Sequence, residues 1–69
     1  MVEIFKTNIT DKETASRIVQ KLEAYLPSSK INFDLEDCDN ILRIDSPQIL
    51  PSEVEKLFSR LGYYCEVLD

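Results

Sequence analysis

Asp11, Glu36, Asp37, Cys38 and Asp39 are the carboxylates and the thiol that strand direction is expected to gather at one rim of the sheet, where they could hold a cation. Carboxylates suit hard ions such as Mg²⁺, Ca²⁺ or Mn²⁺, and a cysteine among them could recruit a softer metal. Asp11, Asp37, Cys38 and Asp39 therefore form the candidate metal set. The same residue types are also what turns prefer, because Asp and Asn side chains bond the local backbone. A single cysteine with no histidine to join it supplies few ligands for a specific site. The acidic neighbours of Cys38 also oppose a reactive thiolate, since nearby negative charge raises a thiol pKa. Catalytic constellations are harder still to assemble. The chain has no histidine for a Ser/His/Asp set and one glycine where a phosphate loop needs several. No enzyme activity and no cofactor are expected.

The elements that must position these residues centre on the stretch from Ile31 to Ile44. Ile31, Phe33 and Leu35 alternate with Asn32 and Asp34, the period of a strand with one buried face. With the turn centred between Cys38 and Asp39, Leu35 falls opposite Leu42 and Phe33 opposite Ile44, so both strands turn apolar residues to one side. Residues 2–7 read as a first strand. Thr10-Asp11-Lys12-Glu13 follows the capping-box pattern and predicts a helix over 11–25, with Ala15, Ile18, Val19, Leu22 and Leu26 as its apolar stripe, ended by Pro27. Asp45 to Leu50 reads as a linker. A second helix opens at Pro51 or Ser52, with Ser52 and Glu55 as another capping box and Val54, Leu57, Phe58 and Leu61 as its stripe. Gly62 stands where a left-handed cap is wanted, and residues 63–68 read as the last strand.

Strand, helix, strand, strand, helix, strand is the order of the α+β ferredoxin-like, or split βαβ, plan: an antiparallel four-stranded sheet with both helices on one face. Right-handed crossovers give the spatial order 4-1-3-2. With Val2, Ile4, Phe33, Leu42, Ile44 and Val67 turned to the helices, Phe5, Ile41, Tyr64 and Leu68 are expected on the open face. A contiguous apolar patch there would mark an interaction surface, for a protein partner or a second copy of the chain.

The chain resembles the heavy-metal-associated domain family, the small copper-chaperone type of ferredoxin-like fold, over nearly its whole length. Ile9 matches the methionine of the family's Met-x-Cys-x-x-Cys motif. Ile18 and Leu22 match helical core positions, and Leu61-Gly62-Tyr63 with Cys65 and Val67 matches the closing step into the last strand. Asp11 and Thr14 stand where the family's two metal-binding cysteines would be. Soft thiolates select Cu(I), so the resemblance implies the scaffold without the thiolate site.

Composition bounds the rest. A chain of 69 residues with 43% apolar content makes one domain over 1–69, with room for a single core. A net charge of −5 opposes nucleic-acid binding, and Arg17, Lys21, Lys56 and Arg60 read as a solvated helix face. No apolar run is long enough to cross a bilayer and no basic segment precedes one, so a cytoplasmic protein with free thiols is expected. The leading expectation is a non-catalytic binding or interaction module. Two alternatives stand beside it: a metal-binding or metal-transport protein using the carboxylates and Cys38, and a small-ligand-sensing regulatory domain with a pocket formed on dimerisation.

Overall fold

The alternating residues of the central hairpin do form two paired strands, and the other elements assemble around them in a computed structural model that describes residues 1–36 and 38–68. In chain order these are β1 (Val2–Thr7), α1 (Lys12–Tyr25), β2 (Lys30–Asp34), β3 (Ile41–Asp45), α2 (Pro51–Leu61) and β4 (Cys65–Leu68). The sheet is antiparallel throughout with order β2-β3-β1-β4. This is the α+β ferredoxin-like arrangement, with β2 and β4 at the two edges. Helix α1 packs on β2 and α2 on β4.

Phe5, Leu42 and Ile44 from the sheet, Ile18 and Leu22 from α1, and Val54 and Phe58 from α2 are all essentially inaccessible to solvent. These groups come from every layer of the fold, so the two helices and the sheet close on one core. Ile9 and Ile49, one from each of two connecting segments, are buried with them. Ile49 belongs to the stretch read from sequence as a linker. Its burial plugs the entry to α2, where no periodic pattern announces it.

Phe5 corrects the expectation for β1. It faces the helices, fully buried, while Val2 and Ile4 lie on the open face. Residues directly opposite each other in antiparallel strands share a face. Phe5 stands opposite Leu42 on one side and Val67 on the other. Leu42 is buried against the helices, so Phe5 must be too. Within β1 alone, apolar residues occupy both parities and the choice is not local.

The hairpin register also differs from expectation by two residues: Phe33 is opposite Leu42 and Ile31 opposite Ile44. A shift of two preserves which side chains face the helices. It arises because Asp39 and Asn40 are tied to β1 rather than extending β3. The Thr7 N–H donates to the Asp39 carbonyl at 3.3 Å and the Thr7 hydroxyl to the Asn40 carbonyl at 2.6 Å. Asn40 adopts φ 49°, a left-handed turn that asparagine tolerates.

Both helix starts correct the capping boxes. Asp11, not Thr10, is the N-cap of α1, and its Oδ2 accepts from the Thr14 N–H at 2.9 Å. A carboxylate satisfies this orphan donor as well as a hydroxyl and also complements the positive end of the helix. Helix α2 has Leu50 at its N-cap with no side-chain bond, and begins instead on Pro51, which has no N–H to satisfy. Its C-terminus closes as expected on Gly62 at φ 87°. The Gly62 N–H donates to the Ser59 carbonyl and the Tyr63 N–H to the Phe58 carbonyl, the paired bonds of a Schellman turn.

Candidate functional site

Three connections meet at one end of the sheet: β1 to α1, β2 to β3, and α2 to β4. Thr7 is the hub of this rim. Its buried hydroxyl donates to Asn40 and accepts from the Ile9 N–H at 3.2 Å. Asn8 extends the network, its Oδ1 accepting from the Tyr64 N–H at 2.9 Å. The corner is thus stitched by hydrogen bonds between backbone and short polar side chains. Neither Thr7 nor Asn8 stands out in the sequence, because the partners they bind, 33 and 56 residues away, are brought near only by the fold.

Asp11 and Asp39, two of the residues singled out for metal binding, have separate tasks at this rim. The Asp11 carboxylate caps α1, and the bond from the Thr14 backbone N–H, followed by one from the Thr14 side chain, holds its pKa below the ordinary value. Asp39 lies 3.8 Å from the Lys6 ammonium. Cys38 is exposed and free, and Asp37 lies outside the described residues. Among the described residues, no three His, Cys, Asp or Glu side chains converge in a way that could hold a metal ion.

The face of the sheet away from the helices carries three rows of side chains. Asp34, Ile41, Lys6 and Glu66 form one row across β2, β3, β1 and β4. Asn32, Arg43, Ile4 and Leu68 form the next, and Lys30, Asp45 and Val2 the third. Ile4 and Ile41 are half-buried among their polar neighbours, while Leu68 is 37% and Val2 52% exposed. Tyr64 joins them from the approach to β4. It is 46% exposed, and its hydroxyl bonds the Glu66 carboxylate, which raises the phenol pKa. Of the residues expected here, Ile41, Tyr64 and Leu68 are in place, and Ile4 takes the position assigned to Phe5. Ile4, Ile41 and Arg43 with Asn32 and Asp34 line a shallow concavity of about 440 Å³.

The two outer edges of the sheet differ. At β4, the Val67 N–H points away from β1 and donates to Glu55 Oε2 of α2 at 3.0 Å. The β2 edge follows from the pairing of the inner strands. The Ser46 N–H donates to the Met1 carbonyl at 2.9 Å and the Thr7 N–H to Asp39, so the odd residues of β1 turn their backbone groups to β3. Alternation then directs Leu42 and Ile44 toward β1, and Arg43 and Ile41 toward β2. Asn32 and Asp34 complete those pairs, leaving the N–H and C=O groups of Ile31 and Phe33 pointing out of the sheet. Among the described residues, no side chain bonds them. Beside this edge runs a groove of about 500 Å³ between α1 and β2, floored by Ala15, Val19, Ile31, Phe33 and Leu35.

Cys65 is half-buried beneath α2, and burial together with the Glu55 carboxylate pushes its thiol up to about 12. It is a packing residue, protonated throughout the ordinary pH range. Both cysteines are free. Among the described residues, no helix is long and apolar enough to cross a membrane. Comparison of the chain with protein-family models, with curated proteins and with solved structures returned no match.

Proposed function

We propose that the protein is a non-catalytic interaction module that binds a protein partner through the open face of its sheet. The observation that carries this reading is the set Ile4, Ile41 and Leu68 on adjacent strands with Tyr64 on the approach to β4, which stays partly or well exposed and is bordered by Lys6, Arg43 and Glu66. An apolar centre with an aromatic and a charged rim is the composition of a protein-binding surface. The chain serves in this reading as a relative of the heavy-metal-associated domains that lacks their thiolate pair and works in the reducing cytoplasm. Support for that kinship comes from Ile9 in the core, the left-handed Gly62 leading into Tyr63, and the rim where the Thr7 hydroxyl donating to Asn40 and the Asn8 Oδ1 accepting from Tyr64 occupy the corner that such relatives use for metal.

The test places a photo-crosslinking amino acid at Tyr64 on the open face and, separately, at Arg17 on the outside of α1. A discrete adduct in cells from Tyr64 alone, abolished by Ile4→Asp, is expected. Equal adducts from both positions, or an adduct from Tyr64 indifferent to Ile4→Asp, would contradict the reading.

A further inference from the structure

We infer that the β2 edge is a self-association surface on which a second copy of this chain adds its own β2, antiparallel and centred on Asn32, to form a continuous eight-stranded sheet. Any strand addition needs outward backbone groups, and β2 presents them at Ile31 and Phe33. The occupant is specified by charge. Pairing two copies of Lys30-Ile31-Asn32-Phe33-Asp34 about Asn32 places Lys30 of each opposite Asp34 of the other, and Ile31 opposite Phe33. Those last two are the residues whose N–H and C=O groups are directed outward, so they exchange main-chain hydrogen bonds across the seam.

Neighbouring registers do not meet these conditions together. Centring on Ile31 sets Lys30 against Asn32, and centring on Phe33 sets Asp34 against Asn32 while sending Lys30 toward Glu36 in the turn. Shifts by one residue oppose outward backbone groups to groups already used by β3. The Asn32 register also keeps faces consistent. Ile31 and Phe33 of both copies lie under helices on the same side, so the half-exposed floor of the groove beside α1 is closed by the same residues of the second copy. On the opposite side, Lys30, Asn32 and Asp34 form a polar ladder across the seam. The other edge is unsuited to this role because Glu55 already takes the Val67 N–H.

This inference uses different residues from the open-face reading, and the two stand or fall separately. Sedimentation of the wild-type chain from about 10 µM to 1 mM should show a monomer-dimer equilibrium. Lys30→Asp and Asp34→Lys each place like charges opposite one another twice and should weaken the dimer roughly tenfold or more. The Lys30→Asp/Asp34→Lys double variant restores opposite charges and should recover wild-type association. As an independent readout, Asn32→Cys in a Cys38→Ser background should form a covalent dimer on mild oxidation, because directly opposed residues in a wide pair lie within about 5 Å at Cα. Glu66→Cys at the β4 edge should not. A wild-type chain that stays monomeric throughout, single variants that dimerise as well as wild type, or dimers that Asn32→Cys does not crosslink while Ile4→Asp dissolves them, would each overturn the β2 seam.

Discussion

The two edges of this sheet solve one problem in opposite ways. At β4, Glu55 reaches from α2 to the Val67 N–H, so the edge carries its own acceptor and a further strand would have to displace a carboxylate. At β2, α1 covers the strand's inner face but contributes no side-chain bond, among the described residues, to the groups that Ile31 and Phe33 direct outward. An edge strand left open is a template for pairing, and proteins that keep such edges apart cover or charge them. The difference shows that the fold is finished on its α2 side and left available on its α1 side.

The largest expected effect comes from the residue that both sides share. Phe5 lies in the sheet's centre between Leu42 and Val67, so Phe5→Ala removes packing from both halves and should cost about 3–5 kcal/mol in urea unfolding, enough to unfold much of so small a domain. Ile4→Ala, one residue away on the open face, should cost well under half of that. Comparable losses at the two positions would break the assignment of faces on β1.

Gly62→Ala tests the α2 side alone. No atom lies within 4 Å of the position an added Cβ would take, so the whole penalty is the left-handed backbone at φ 87°, about 1–2 kcal/mol. Glu55→Ala should cost about 1 kcal/mol through the lost bond to Val67. It should also make the β4 edge behave like β2, with faster amide exchange at Val67 and a greater tendency to associate. Glu55→Gln keeps an acceptor and should fall between.

Smaller effects separate the cysteines and the helix caps. Cys38, which is exposed, should be the cysteine that an alkylating reagent modifies in the folded protein, while Cys65, with its thiol pushed to about 12, reacts only after unfolding. Because that folded value lies above the ordinary 9.0, the associated stability is intact below pH 9 and declines as pH rises toward 12. Asp11 works in the other direction. Its folded pKa is lowered, so the capping contribution is present above 3.8 and is lost as pH falls through the lower folded value. Asp11→Ala should therefore be less stable than wild type at neutral pH, and the difference in melting temperature should shrink in strong acid.

Legibility from sequence followed the range of the interactions. The hairpin's alternation, the stripes of Ile18 and Leu22 and of Val54 and Phe58, and the glycine after α2 are local patterns, and they specified the element order and the ferredoxin-like topology. Phe5 and Ile4 exchanged faces because β1 is apolar at both parities, and only its pairing with Leu42 and Val67 decides between them. The hairpin slipped by two residues because Thr7, far away in sequence, holds Asn40 in the turn. Asp11 and not Thr10 caps α1, and adjacent Thr and Asp are equally suited to that position until the Thr14 N–H is placed beside one of them. The β2 edge was invisible for the same reason as the Glu55 latch on β4. Neither is a property of a segment, and both appear only when strand order is known.

Amide hydrogen exchange measured residue by residue in dilute solution tests the contrast between the edges most directly. Val67 should be protected by its bond to Glu55, while Ile31 and Phe33 exchange rapidly and Asn32 between them slowly, with protection at Ile31 and Phe33 rising as the protein is concentrated. Slow exchange at Ile31 and Phe33 at every concentration, or rapid exchange at Val67, would contradict the account.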